Sequence, residues 1–346
     1  MTDLTRIYGR PFAALMWLLV GIWLVVLIAF PLGMMAEQSL WRLEVPPEAA
    51  QITMRIDTAY NELSVARLDR QSAVAEEATR LDQRIRTLED DIRRMEATET
   101  APRKVYGLAN YTRMTSAHAD IFVTTILYAI TVTALALIVC YPVAYAAAMT
   151  QRPWVAAVML IALTIPYATN ELIRVYAWLM LLEVRGLVNR LLALVGWVDL
   201  EVNPVRFLES KGATFAGLVY AYILFMAFPL YNAFQSLDRS HLEAADDLGA
   251  GTLRTHLRVV IPHAKPGIAV GCITVFILAA GSWAVPQTLS RGIGGDWFTT
   301  LIYRQFFEAH NWNIGSAYAV VLLVACLAFI AVVLRLSRVT IKDMMR

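Results

Sequence analysis

Long apolar stretches without charge alternate with charged segments along the 346 residues of the chain. A hydrocarbon core about 30 Å thick is crossed by roughly 20 apolar residues in a helix, because backbone polar groups in lipid must be satisfied within the segment. Charged residues occur in only one of the long stretches, at Glu171 and Arg174. The pattern predicts an all-α integral membrane protein with six spans, at residues 11–36, 121–150, 154–182, 213–237, 268–290 and 314–334.

The segment 37–120, between the first two predicted spans, has a different composition. It is rich in Glu, Asp and Arg and contains no apolar run long enough to enter a bilayer. Pro46, Pro47 and Pro102 flank a helical pattern, which predicts either a helical hairpin or one long helix with a broken start. Within this pattern a short heptad-like stripe of apolar residues lies on one helix face. Its residues are Leu81, Ile85, Leu88, Ile92 and Met95. The stripe either packs against another helix of the segment or docks an external partner.

Lys and Arg in the short flanking segments predict the orientation, because cytoplasmic loops carry an excess of them and long segments are largely exempt. Both termini and the loop 237–267 are expected in the cytoplasm, and the segment 37–120 outside. The first helix is expected to remain uncleaved, because it is too long for a signal peptide and no clear cleavage site follows it. The predicted division is 1–36 (N-terminal segment and first span), 37–120 (extracytoplasmic helical, coiled-coil insertion), 121–334 (five-helix core) and 335–346 (cytoplasmic tail).

Composition excludes several classes of function. Hydrophobic residues make up 58% of the chain and charged residues 17%, with a mean hydropathy of +0.54, which is unlike an ordinary soluble enzyme. A net charge of +2 gives no basic excess for nucleic acid. The cysteines at 140, 272 and 326 all lie in apolar runs, so neither a disulfide framework nor a metal site is predicted.

The most specific pattern lies in the loop 237–267, between the fourth and fifth predicted spans. Ser240 followed three residues later by Glu243 predicts a capped helix start. Gly249 then interrupts the helix, and a second helical piece is predicted to end at Pro262. On this evidence alone Glu243 is either a capping carboxylate or part of a binding surface.

These residues resemble the E-A-A, G, I-x-L-P loop of permease subunits in type I bacterial ABC importers. Glu243-Ala244-Ala245 is followed four residues later by Gly249, and Val259-Val260-Ile261-Pro262 stands in place of I-x-L-P. In that family the loop is a coupling helix that docks in a cleft of the ATPase subunit. The resemblance therefore implies ATPase coupling for Glu243, Ala244, Ala245, Asp246, Gly249, Ile261 and Pro262.

From about residue 110 to 336 the chain is similar to the spermidine/putrescine permease branch of these importers; the insertion lies outside the resemblance. The matching residues include Asn110-Tyr111-Thr112-Arg113, Asn170, Leu172-Ile173-Arg174, Tyr176, Arg185-Gly186 and Asn189.

The resemblance implies a transport subunit of the bacterial inner membrane rather than an enzyme. It would form the pathway for a small organic solute, expected to be a polyamine; an amino-acid-like compound and ferric iron are the alternatives. The implied partners are two ABC ATPases, a second permease of different sequence, a periplasmic solute-binding protein and the lipid bilayer, with no nucleic acid. ATP and Mg would bind to the ATPases, since no phosphate-binding loop or HExxH motif occurs here. No catalytic, cofactor or metal residue is assigned.

Two rival functions belong to other classes. A membrane-anchored scaffold would act through the coiled-coil pattern of the insertion, with the spans as its anchor. A membrane enzyme is disfavoured because His, Cys and carboxylate residues are not clustered at membrane depth.

Polar and aromatic residues at membrane depth are candidates for the pathway. A charge facing lipid costs about 3 kcal/mol, so Glu171 and Arg174 either pair with each other or line the route. Aromatic faces and carboxylates suit ammonium groups, although aromatic residues near a bilayer interface are also common as belt residues. In the fifth span a Gly-Ser-Trp-Ala-Val-Pro-Gln stretch predicts a helix break near an outer gate. The candidates are Tyr167, Asn170, Glu171, Arg174, Tyr176, Trp178, Trp283 and Gln287.

His256 and His263 lie seven residues apart in the loop 237–267. This spacing would put both on one helix face, but histidines in an amphipathic loop are more often surface residues than metal ligands. They are interpreted as surface residues.

Overall fold

Helices make up most of the regular structure in a computed structural model, which describes residues 9–44, 47–72, 75–98, 103–289 and 297–339. The chain divides into two units, Met1–Arg113 and Met114–Arg346. The first predicted span therefore belongs to the same unit as the charged insertion.

The first unit contains one membrane-length helix, a helical hairpin and a small β-ribbon. Its elements are α1 (Pro11–Ser39), β1 (Trp41–Glu44), α2 (Pro47–Ser72), α3 (Ala75–Thr98), β2 (Arg103–Tyr106) and a single helical turn at Ala109–Thr112.

The helices α2 and α3 form an antiparallel hairpin, so the hairpin alternative from the sequence is confirmed. Ile92 of the apolar stripe is 3% exposed, and ion pairs join the flanks of the two helices. Arg70 Nε lies 2.8 Å from Asp82 Oδ1. This hydrogen bond lowers the pKa of Asp82, so its stabilising effect is present above the ordinary aspartate pKa and is lost as the pH falls through the lowered value.

The β-ribbon was not predicted from the sequence. β1 and β2 pair antiparallel with Trp41 opposite Tyr106. Asn110, which is buried, donates from Nδ2 to the carbonyl oxygens of Ser39 and Trp41, both at 2.9 Å. The ribbon and this amide together connect the end of α1 to the chain that leaves the hairpin.

The second unit consists of helices and connecting segments. They are α4 (Ser116–Met149), α5 (Pro153–Thr164), α6 (Glu171–Leu182), α7 (Leu187–Leu194), α8 (Lys211–Gln235), α9 (Arg239–Asp247), α10 (Thr252–Ala280), α11 (Ala284–Leu289), α12 (Phe298–Tyr303) and α13 (Trp312–Ser337). Short 3₁₀ turns lie at Ile165–Ala168 and Phe207–Glu209.

The core of this unit is formed by α4, α8 and α10, which all pack against one another, while α13 packs against α10. Small residues allow the helix backbones to approach closely, as is common where membrane helices associate. At Gly267 in α10, a Cβ atom would collide with the carbonyl oxygen of Pro229 and the methyl group of Ala233 in α8.

Five described helices are long and apolar enough to cross a membrane: α1, α4, α8, α10 and α13. The third predicted span, 154–182, differs from the prediction because it is not one continuous helix. It consists of α5 and α6, each 12 residues long, with the turn Ile165–Ala168 between them. Pro166 provides no backbone N–H, and Asn170 caps a new helix by accepting a hydrogen bond from the backbone of Leu172 at 2.9 Å.

We expect Gly267→Val to destabilise the second unit, because its side chain would push α10 away from α8. Overpacking of this kind costs about 1–3 kcal/mol. The measurement is thermal unfolding of the purified protein in detergent. Gly21→Val is the matched control, since a Cβ at position 21 of α1 meets nothing within 4 Å. An equal effect of the two substitutions would contradict the close approach of α8 and α10.

Candidate functional site

The helix α9 carries the Glu-Ala-Ala triplet and begins after Asp238. The Oδ1 atom of Asp238 accepts the backbone N–H of Ser240 at 3.0 Å, and this hydrogen bond lowers the pKa of Asp238. The prediction that Ser240 is the N-cap is therefore wrong. Both residue types cap helices well, and the hydrogen bond selects the one two residues earlier.

Gly249 ends this helix, as the sequence predicts. It has a φ of 72°, in the left-handed region that favours glycine. Its N–H donates to Asp246 O at 2.8 Å, and the N–H of Ala250 donates to Ala245 O at 2.9 Å. These two hydrogen bonds form a Schellman motif, which satisfies helix carbonyls and turns the chain sharply.

The second helical piece of the loop does not end at Pro262, which corrects the prediction. Helix α10 runs from Thr252 through Pro262 to Ala280, with a π turn at His256–Val260 directly before the proline. The N–H of Ile261 donates to the carbonyl of His256, five residues back. The wider turn accommodates a residue that has no N–H to donate.

The surface of the loop exposes one carboxylate of the triplet and several leucines. Glu243 and Ala244 are exposed, whereas Ala245 is 9% exposed and faces inward. In the described part of the chain Glu243 has no hydrogen bond or ion pair, so its capping interpretation is not supported. Nearby apolar side chains are exposed to an unusual degree, at Leu248 (87%), Leu253 (74%) and Leu257 (57%).

The remaining motif residues have mixed positions. Asp246 and Pro262 are exposed and Ile261 is half-buried. A cavity of about 320 Å³ lies between α9 and the start of α10, with the end of α4 along one side. Its lining includes Tyr145, Leu242, Glu243, Asp246, Thr255 and His256. The motif therefore forms a water-facing surface with a carboxylate beside a cleft.

The two loop histidines occupy different environments. His263 is exposed, as expected, and its Nε2 lies 3.0 Å from Ser236 Oγ. His256 is half-buried at the edge of the cavity, with Nδ1 2.8 Å from the hydroxyl of Tyr141, so it is less exposed than the surface interpretation implies. Among the residues that the structure describes, no group of three or more His, Cys, Asp or Glu side chains is arranged for a metal ion.

The structure brings some candidate pathway residues together near the break between α5 and α6. The hydroxyl of Tyr167 donates to the carbonyl of Ala221 in α8. Arg174 lies over the Tyr167 ring, with Cζ 4.9 Å from the centroid, a cation–π arrangement. Glu171 is exposed as the first residue of α6. The alternative of a direct Glu171–Arg174 pair stays a prediction.

Three further candidates on or beside α6 are separate from this group. Asn170 is an exposed helix cap, and Tyr176 is 59% exposed. Trp178 packs edge-on against Tyr220 of α8, with centroids 5.3 Å apart. The geometry therefore gives Asn170 and Trp178 structural contacts.

Helix α10 ends at Ala280 and α11 begins at Ala284. The helix break predicted within residues 281–287 is therefore confirmed at 281–283, whereas residues 284–287 are helical. Trp283, 38% exposed, stacks on Tyr303 with ring centroids 4.9 Å apart. Gln287 is exposed on α11, a helix that packs against α6.

Several residues around these sites were not predicted from the sequence. Tyr222 of α8 and Ser282 at the break are buried and adjacent, and Tyr222 is within electrostatic reach of Glu171 and Arg174. No local pattern identifies these two. By contrast, Tyr141 and Tyr145 are four residues apart near one end of α4. This spacing places two aromatic rings with hydroxyl groups on one helix face, which could have been predicted from the sequence.

Comparison with known proteins assigns the sequence to a family. The family described as "Binding-protein-dependent transport system inner membrane component" matches residues 122–341. The spermidine/putrescine transport system permease protein PotB of Escherichia coli K12 is 33% identical over 235 residues, which cover 68% of this chain and 84% of that protein.

Solved structures show the same fold at lower identity. One is the crystal structure of a bacterial ABC transporter that imports the acidic polysaccharide alginate, with a TM-score of 0.54 and 19% identity over 68% of this chain and 84% of the other. A second is a bacterial alginate ABC transporter in complex with an alginate pentasaccharide-bound periplasmic protein, with a TM-score of 0.53 and 18% identity over 67% of this chain and 83% of the other.

The positive φ of Gly249 yields a prediction about the loop. We expect Gly249→Val to destabilise the turn by roughly 1–2 kcal/mol and Gly249→Asn by less, because asparagine tolerates the left-handed region. Cleavage by trypsin at Arg254 and Arg258 in the full-length protein is the measurement, and it should be faster in the valine variant. Equal cleavage of the two variants would argue against a required left-handed turn.

Proposed function

The chain belongs to the family of binding-protein-dependent transport system inner membrane components, and from this premise we propose that it forms the translocation pathway for a polyamine. It is a multi-pass inner-membrane permease subunit of an ABC importer, and so a transport component rather than an enzyme. The family match covers most of the second unit, which disfavours a membrane-anchored scaffold.

The observation that carries the proposal of ATPase coupling is the surface of the loop 237–267. A helix ended by a Schellman turn exposes Glu243, and three leucines of the same loop, Leu248, Leu253 and Leu257, are also exposed. Exposed apolar side chains together with an unpaired surface charge in one loop suit a protein interface. An ABC ATPase is the partner we propose, with ATP and Mg bound on that subunit and Glu243 facing a basic or polar group in its cleft.

A second permease and a solute-binding protein complete the proposed complex. This chain has one coupling loop, so two ATPases require a second permease, which we propose is a different chain. The alginate importer was crystallised with its periplasmic protein bound, which supports a corresponding partner here. The loop 237–267 and both termini would face the cytoplasm, and the hairpin of α2 and α3 the periplasm.

Closure of the ATPases on ATP would displace the loop 237–267 and convert an inward-open pathway into an outward-open one. Such a rigid-body transition between two states needs an element that a partner outside the membrane can bind and displace. The helical continuity of α10 from the loop into the core suits this transmission, since no flexible linker separates them.

The polyamine proposal is supported by the 33% identity to a spermidine/putrescine permease and by the chemistry near the helix breaks. Ammonium groups are attracted by carboxylates and by the faces of aromatic rings. Glu171 is exposed, and Trp283 and Tyr303 form an exposed aromatic stack.

We expect Glu243→Lys to reduce solute uptake at least about tenfold while the protein still inserts in the membrane, because like charges at an interface cost several kcal/mol. Uptake and ATP hydrolysis are measured in membrane vesicles. The matched control is His241→Lys, which adds a positive charge on another face of α9. Normal uptake by the Glu243→Lys variant, or equal losses in both variants, would refute docking through Glu243.

For the substrate, we expect cells that express the complete complex to take up labelled spermidine or putrescine in an ATP-dependent manner. Unlabelled polyamine should compete, whereas an amino acid or ferric iron should not. The control is the same strain without this chain. Uptake of another solute with no polyamine competition would retain the ABC importer and reject the polyamine.

A further inference from the structure

The start of the coupling loop is bonded to the end of α4. Arg239, the first residue of α9, donates from Nη2 to the carbonyl oxygen of Met149 at 2.8 Å. Met149 is the last residue of α4, where helix carbonyls lack partners and a positive charge is favourable. The loop is therefore attached to a helix that is not adjacent to it in the sequence.

A second attachment lies deeper, two turns back along α4. The Nδ1 atom of His256 is 2.8 Å from the hydroxyl of Tyr141, and the His256 ring packs edge-on against Tyr145 with centroids 4.6 Å apart. Phe234, at the end of α8, packs edge-on against both tyrosine rings at 5.2 and 5.5 Å. This ring cluster joins α4, α8 and the first turns of α10.

The position of His256 in the π turn gives the second attachment its geometry. The π turn His256–Val260 contains both the exposed Leu257 and the fully buried Val260. A π turn adds a residue to one helical turn and is frequent at functional positions. His256 is thus held by α4 at the point where α10 passes from the loop into the core.

We propose that these two anchors, Arg239–Met149 and His256–Tyr141, make α4 move together with the coupling loop. The covalent chain connects the loop only to α8 and α10. Helix α4 packs against both helices within the core, and the anchors add a direct connection between α4 and the loop itself. Arg239 and His256 are then positioning residues that carry loop displacement into a third core helix. This inference rests on the proposed docking of an ATPase at the loop.

The experiment measures the distance between spin labels at Ala146→Cys in α4 and His241→Cys in α9, in a background with Cys140, Cys272 and Cys326 replaced by alanine. Both labelled positions are exposed. The complete complex in nanodiscs is compared without nucleotide and after trapping with ATP and vanadate. With both anchors present, we expect the distance to change by less than about 2 Å, the scale of small helix shifts.

In the Arg239→Ala, His256→Ala double variant we expect nucleotide trapping to change the label distance by more than about 2 Å. The distribution of distances should also be broader. Tyr141→Phe keeps the ring and removes only the hydroxyl, so it should give a smaller shift in the same direction. His263→Ala is the matched control, because it removes a histidine hydrogen bond of the same loop, to Ser236, without touching α4.

The inference would be overturned if nucleotide trapping changed the label distance by the same amount in the double variant and in the chain with both anchors. The Tyr141→Phe result keeps the test decisive if the double variant does not fold. A complex that contains no ATPase and traps no nucleotide would overturn the proposed function itself. A complex that traps nucleotide normally but shows independent motion of α4 and α9 would overturn only the anchoring.

Discussion

A backbone polar group inside a bilayer must find its partner within the protein, and the second unit is organised by this constraint. Long uninterrupted helices satisfy it wherever the chain is continuous. The two helix breaks satisfy it with side chains. Asn170 accepts from the backbone at the start of α6, and the hydroxyl of Thr299 donates to the carbonyl of Ser282 at 2.6 Å, next to the end of α10.

The same constraint explains why the polar candidates gather at the breaks. Irregular backbone at membrane depth is tolerated beside other protein or a cavity, and polar side chains are acceptable in the same places. Tyr167 lies in the first break and Arg174 in the helix that follows it, while Ser282 and Trp283 lie at the second. Because α6 packs against α11, the two interrupted stretches are neighbours in space although they are far apart in sequence.

Features determined by local sequence were predictable, and features determined by distant contacts were not. The stripe containing Ile92 and the turn at Gly249 follow from residue spacing and backbone preference, and both agree with the structure. The predicted helix N-cap was wrong by two residues, because Asp and Ser are equally favourable residue types at this position. The bond between Tyr141 and His256 joins residues 115 positions apart, and no periodicity in a single sequence encodes it.

Close packing limits where a transport movement can occur in the second unit. The contact of Gly267 with Pro229 and Ala233 leaves no space for α10 to slide into α8, and packed interiors deform little. Under the proposed anchoring, a displacement of the loop that reaches α8 and α10 through the chain, and α4 through packing and hydrogen bonds, would move the three helices as one body. On the proposed function, the pathway would open and close between this body and the interrupted segments, α5–α6 and α11. There the backbone is already irregular and the polar side chains are found.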